Sequence, residues 1–195
     1  ARRCTAEGLR VLILDRAAPQ DPLPGEEHLA VDLADPAATE AALAEATAAR
    51  PITRLVNNVG TVRPGTLEAA TLADLDAVVA LNLRCAIQCA QALQPGMRAA
   101  GTVPVGSTPE ELAAHGITAN VVAPASVDTP LWQKLNPPGS ARRQRILESV
   151  PMGRLATPDD VAQAVAFFLD ARSGYVTGQV LFVCGGQSMG GATLF

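Results

Sequence analysis

The sequence predicts an α/β fold, a doubly wound parallel sheet with helices on both faces, and three observations predict it. Short apolar runs of strand length alternate with helix-length amphipathic patterns, the order expected of a parallel sheet with crossover helices. One run, VLIL before Asp15, is continuously apolar, as a strand buried on both faces requires. The chain has 195 residues, 48% of them hydrophobic, which suits one core and excludes a disordered chain. No repeat, low-complexity tract or linker divides it, so residues 1–195 are read as a single domain.

The elements follow in order. ARRCTAEG reads as a short helix with Gly8 as its stop. RVLILD is the first strand and HLAVDL the second, separated by the Pro-rich loop APQDPLPGEE. Asp35 is a cap and Pro36 a first helical residue for PAATEAALAEATAAR, which Pro51 ends. RLVNN is a third strand running into VGTVRPGTLEAA. Thr71, with Asp74 as capping-box partner, opens a long helix that Pro95 and Gly96 should stop. Leu75, Val79, Asn82, Ala86 and Leu93 form its expected apolar stripe. PEELAAH has room for one helical turn, and ITANVVAP is a fourth strand. SARRQRILES is an amphipathic helix. Thr157 and Asp160 cap the helix PDDVAQAVAFFLD, and QVLFV is the last strand.

The net charge of −4, with no basic run beyond Arg142 and Arg143, argues against a nucleic-acid face. No apolar run reaches the roughly 18 residues of a membrane span. ARRCTAEGLR is too polar for a secretory signal, which leaves the cytoplasm as the expected location. Cys4, Cys85, Cys89 and Cys184 are scattered, and His28 and His115 complete no zinc spacing. Reduced structural thiols and no metal are expected.

Ligands of such sheets sit beyond the carboxyl ends of the strands. The residues to weigh are therefore Asp15 and Arg16, Asp32 and Leu33, Asn57 to Gly60, Pro124 to Thr129, and Cys184 to Gly186. Asp15 stands where a dinucleotide fold places its ribose acid, which would favour NAD over NADP; Arg16 beside it could instead attract a 2′-phosphate. Equally, Asp15 reads as an acid at a strand–loop junction. NNVG offers amide donors and acceptors with a permissive Gly60, or an ordinary turn. Asn82, on the apolar stripe, needs a hydrogen-bond partner or serves a water relay.

Taken in order, these segments resemble the short-chain dehydrogenase/reductase family, of 3-oxoacyl-reductase-like type, over nearly the whole chain. VLILDR resembles its second strand and VDLAD its adenine-contacting segment. LVNNVG resembles N-N-A-G with Val59 for alanine. LNLRCAIQCAQALQPGM resembles the interface helix, and GITANVVAPASVDTP the turn P-G-x-x-x-T with Ala125 for glycine. PMGRLATPDDVAQAVAFFLD with GYVTGQVLFVCGG resembles the C-terminal signature. The resemblance implies a Rossmann-like domain and a catalytic Asn82. It implies cofactor contacts from Asp15, Arg16, Asp32, Leu33, Asn58, Gly60, Pro124, Val127 and Thr129. Trp132 and its neighbours would cover the substrate. The implied cofactor is NAD, with NADP the alternative. The implied substrate is a small alcohol or carbonyl compound, and the implied assembly a homodimer or homotetramer through the long helices.

Two family features have no counterpart in the 195 residues. One is the opening strand with T-G-x-x-x-G-x-G, whose backbone N–H groups approach a pyrophosphate. The other is the catalytic serine with Tyr-x-x-x-Lys. The chain has one tyrosine, Tyr175, and one lysine, Lys134, and they are not so spaced. Between Gly101 and Gly116 lie 14 residues. A strand, a helix and two loops need about 24. The sheet is thus expected to be incomplete and these residues alone inactive. Either further segments complete the enzyme, or the chain is a non-catalytic scaffold. The exposed edges of a sheet without its centre favour the first.

Overall fold

The computed structural model describes residues 1–63, 65–100 and 109–189. Expectations about residues 102–108 fall outside them.

The chain opens with α1 (Arg2–Ala6), closed where Gly8 takes φ 79°. β1 (Val11–Asp15) then pairs in parallel with β2 (Glu26–Ala30), Asp15 opposite Ala30. Glu27 accepts from Arg10 and Arg50, tying both strands to the end of α2 (Pro36–Ala49). The second strand sits earlier than expected. Val31 and Leu33 lie beyond it, yet both side chains are buried. Asp35 caps α2 by accepting from the N–H groups of Ala37 and Ala38, with Pro36 opening the helix as expected.

The predicted strand at residues 54–58 is not formed: residues 51–63 hold no regular secondary structure. The sheet is correspondingly split into two parallel pairs, β1 with β2 and β3 (Val121–Pro124) with β4 (Val180–Val183). A doubly wound sheet runs 3-2-1-4-5-6. In that order β1 and residues 54–58 are the second and fourth strands, and β3 is the sixth. On the resemblance, the fourth would take its hydrogen bonds from the first and fifth, the two expected to have no counterparts in these residues. An apolar strand pattern without neighbours cannot satisfy its backbone as a strand. Residues 52–55 still pack inward, through Ile52 and Leu55.

The long helix also departs from expectation. The capping box of Thr71 and Asp74 opens α3 (Leu72–Val79) as predicted. A π-helical turn at Ala80–Arg84 follows, then α4 (Cys85–Ala100), which runs through Pro95 and Gly96. Proline removes one bond, to the carbonyl of Gln91, and Gln91 is exposed, so water can replace it. Gly96 gives close approach: a Cβ there would sit 3.5 Å from the Ile52 carbonyl oxygen. The π turn adds a residue to the helical repeat and rotates the stripe. The buried face is Cys85, Cys89, Leu93 and Met97, whereas Leu75, Val79 and Asn82 are exposed. Met97 and Leu93 join Leu43, Leu112, Ile117 and Ala119 in the main cluster. Each buried Leu, Ile or Met side chain there is worth about 1.5–3 kcal/mol.

Beyond α5 (Pro109–Ala113), the fourth predicted strand shortens to β3. Asn120, almost fully buried, holds the loop before β4 by donating to the Val176 carbonyl and accepting from Gln179 N–H. The chain then makes an excursion through α6 (Pro130–Leu135), a helix the sequence reading did not foresee, and α7 (Ala141–Glu148). It returns at a parallel bridge between Val127 and Ala156. The Thr157–Asp160 capping box opens α8 (Pro158–Leu169).

Candidate functional site

Three segments enter the main cluster and then reach their candidate residues. Leu14 packs there immediately before Asp15, Leu55 three residues before Asn58, and Ala119 five before Pro124. A second cluster is formed by Val31, Leu33 and Cys85, with Leu14 and Leu81 packed against it. Asp15, Asp32 and Asn82 each adjoin one of its members in sequence.

Asn82 is exposed, correcting its expected burial, and its amide is fully used. Oδ1 accepts from Thr61 N–H at 2.8 Å and Nδ2 donates to the Thr61 carbonyl at 3.0 Å. This two-point clamp fastens the loop after residues 54–58 to the π turn, and π turns often mark functional sites. Gly60 fits beneath it: a Cβ would lie 3.3 Å from Asn82 Oδ1. Thr61 acts through its backbone alone, which no side-chain pattern announces. Asn57 carries a buried Nδ2 with no partner among the described residues, and Asn58 is exposed.

The Asp15 carboxylate accepts from Ala17 N–H through Oδ1, and Asp15 and Arg16 are exposed. Asp32 makes the same kind of turn, accepting from Ala34 N–H. Leu33 is 6% exposed and packs with Val31 and Cys85. Arg84 donates to the Ala34 carbonyl and Gln88 to that of Pro36, fixing this turn to the long helix.

Pro124, Val127 and Thr129 form a separate group at the end of β3. Val127 is in the bridge to Ala156, and Thr129 accepts from Trp132 N–H to cap α6. Pro124, Ala125, Phe182, Cys184, Gln187 and Ser188 line a cavity of about 210 Å³ there. The hydroxyl of Ser188, 3.1 Å from Cys184 Sγ, holds that thiol below its ordinary pKa, helped by backbone N–H groups of the turn. Among the described residues no hydrogen bond joins this group to Asp15 or Asn82. A groove of about 490 Å³ between α2 and α4 is lined by none of the candidates. Burial pushes the thiol of Cys89 up to about 11 and raises that of Cys85, so both are inert packing groups. Tyr175 is fully exposed on a turn.

The residues fit part of a dinucleotide. Asp15 Oδ2 has no partner among the described residues and could accept ribose hydroxyls, and Asn57 Nδ2 is a donor awaiting an acceptor. No helix of the described residues is long and apolar enough to cross a membrane.

A short-chain dehydrogenase family model described as Enoyl-(Acyl carrier protein) reductase matches in two pieces, residues 1–108 and 104–188. The chain is 37% identical over 163 residues to the (2S)-[(R)-hydroxy(phenyl)methyl]succinyl-CoA dehydrogenase subunit BbsD of Thauera aromatica, covering 69% of this chain and 64% of that one. It is 32% identical over 161 residues to the 3-oxoacyl-[acyl-carrier-protein] reductase FabG of Thermotoga maritima, covering 68% and 64%. The chain thus spans just under two thirds of the length of these relatives. Among solved structures, a blue fluorescent protein from a metagenomic library, in complex with NADPH, superposes with a TM-score of 0.73 at 28% identity, over 84% of this chain and 76% of its own. The Rossmann-like sheet, its ordered turns and these matches together place the chain in the short-chain dehydrogenase/reductase family, on its 3-oxoacyl-reductase-like side.

Proposed function

We propose that the protein is an NAD(P)-dependent oxidoreductase that moves a hydride between the nicotinamide and an alcohol or carbonyl carbon. The observation that carries this reading is the clamp of Asn82 on Thr61 over Gly60, in a chain of this family that bears Asp15 at the end of β1. Bound NADPH in a structural neighbour and the printed activities of the two relatives support it.

Asp15 would hold the adenosine ribose, and Asp32 with the Leu33 backbone would flank the adenine. Asn58 and Gly60 would line the cofactor, and Pro124, Val127 and Thr129 would meet its nicotinamide end. The nicotinamide, when bound, supplies or accepts the hydride. Asn82 positions the loop that carries Asn58 and Gly60, and its clamp on Thr61 is the support for a water relay at that point.

Proton transfer needs a group outside these 195 residues, because no Tyr-x-x-x-Lys occurs in them. The two pieces of the family match overlap at residues 104–108, between the long helix and β3. A homodimer or homotetramer through the exposed face of α3, the π turn and α4 accompanies this reading, with Leu72, Leu75, Leu83 and Ile87 available for contact. The test is titration with NADH and NADPH, followed by nicotinamide fluorescence. Saturable binding supports an oxidoreductase; absence of both signals from the full-length protein removes the reading and leaves a scaffold.

A further inference from the structure

Asp15 ends β1 with its carbonyl doubly occupied. Val31 N–H donates to that oxygen at 3.2 Å, as the parallel ladder requires, and His28 Nε2 lies 2.9 Å from it. A carbonyl oxygen only accepts, so Nε2 carries the hydrogen and donates. The contact crosses the sheet rather than following the chain: His28 stands opposite Ile13, and Ala30 opposite Asp15. Residues paired across strands point to the same side, so His28 and Asp15 share a face of the sheet. The neighbouring Glu27, on the other face, accepts from Arg10 and Arg50. His28 is half-buried in a strand, at a position a valine or isoleucine would fill at least as well. What the imidazole adds is a donor.

That donor acts on one peptide plane. The Asp15 carbonyl belongs to the peptide that leads into Arg16, so fixing the oxygen fixes how the chain leaves the strand. Two residues on, Ala17 N–H donates to Asp15 Oδ1 at 3.0 Å, and Oδ2 has no partner among the described residues. Backbone and side chain of Asp15 are thereby held together. The imidazole sets the plane, the turn N–H sets the carboxylate, and Oδ2 is left for a ligand. Arg16 is the opposite case: it is exposed and makes no ion pair among the described residues. A carboxylate accepts from a ribose diol and repels a 2′-phosphate, whereas a guanidinium attracts that phosphate. A fixed acid beside a free cation gives the advantage to the diol.

We infer that His28 is a positioning residue for cofactor selection. Through the Asp15 carbonyl it holds the Asp15 carboxylate where it meets an unphosphorylated ribose, and so favours NADH over NADPH. The inference rests on the oxidoreductase reading above and adds to it a side chain that touches no cofactor. Loss of the bond costs the fold little, because Val31 still donates to the same carbonyl and Asp15 is exposed to water. Its effect is therefore read in binding rather than in stability.

The test is fluorescence titration of the full-length protein and its variants with NADH and, separately, with NADPH, each fitted to a dissociation constant. His28→Phe keeps a ring and removes the donor. It is expected to weaken NADH binding and to narrow the preference for NADH over NADPH roughly three- to tenfold, the worth of one hydrogen bond. His28→Gln, whose amide Nε2 donates from a similar reach, is expected to keep the preference within about twofold of the original. In an Asp15→Ala background His28→Phe should leave the ratio unchanged, since no carboxylate remains to be placed. The urea midpoints of the His28 variants should stay close to that of the wild type. A ratio unmoved by His28→Phe, or lost equally in His28→Gln, overturns the proposal, and so does a wild-type preference for NADPH. An equal loss of both dinucleotides, or an effect as large without Asp15 as with it, overturns it too, for either marks a merely structural side chain. In all these outcomes the wild-type protein still binds, and the oxidoreductase reading stands. If the wild-type protein binds neither dinucleotide, that reading and the role of His28 fall together.

Discussion

Asn82 shows how one side chain couples helix, loop and site. Its amide spans both backbone groups of Thr61, so Asn82→Ala deletes two hydrogen bonds at an exposed position. The expected cost is about 1 kcal/mol, read as a lower urea midpoint, with weaker nicotinamide binding than that loss of stability explains. Gly60→Ala tests the same clamp from the other side. Its methyl would press on Asn82 Oδ1 at 3.3 Å, and a displacement of a few tenths of an ångström lengthens the bond to Thr61. Asn82 was legible in the sequence, but for a reason the structure corrects. A helical period of 3.6 put it on the buried stripe, and the π turn moved it off. Its partner Thr61 was not legible, because a backbone group leaves no pattern in residue types. Asp160 gives a residue-scale pH prediction. The Arg154 guanidinium, then the Thr157 N–H and hydroxyl, hold its carboxyl well below the usual carboxylate range. A depressed carboxylate stabilises the fold in full above its unfolded pKa of about 3.9 and loses that contribution as pH falls toward the folded one. Asp160→Asn should therefore lower the urea midpoint at neutral pH and flatten its fall on acidification.

At the scale of elements, what was local was readable. The caps at Asp35, Thr71 and Thr157 form as their spacing demands, because each involves groups within four residues of one another. Thr157→Ala should cost about 1 kcal/mol through loss of such a cap. The strand at residues 54–58 was not readable, since a strand exists only with neighbours and both would come from elsewhere in a complete sheet. Pro95 likewise misled: its clash is real, but α4 is held on both sides of it by Leu93 and Met97 in the main cluster. Two substitutions on α4 have opposite expected signs. Met97→Ala, at a fully buried position, should lower stability by about 2–5 kcal/mol. Gly96→Ala should raise it by roughly 0.5–1 kcal/mol, because the added Cβ meets the Ile52 carbonyl at an ordinary 3.5 Å. Thermal unfolding of the two variants decides both.

For the whole molecule, two parallel pairs share one core but present separate inner edges. Open strand edges template association, so a polypeptide of these residues alone should self-associate through them, seen as polydispersity in light scattering. On the proposed reading, a longer polypeptide supplies the missing neighbours and the proton donor. An intact mass several kDa above 20.1 kDa for the protein from its source is the expected result. The central proposition is that the ends of β1, β2 and residues 54–58, with Asn82, converge on a nicotinamide dinucleotide. Its most direct test is fluorescence titration of the full-length protein with NADH and NADPH, alongside Asp15→Ala. Saturable binding, tighter for NADH and with that preference narrowed by the substitution, is predicted; failure of both dinucleotides to bind contradicts it.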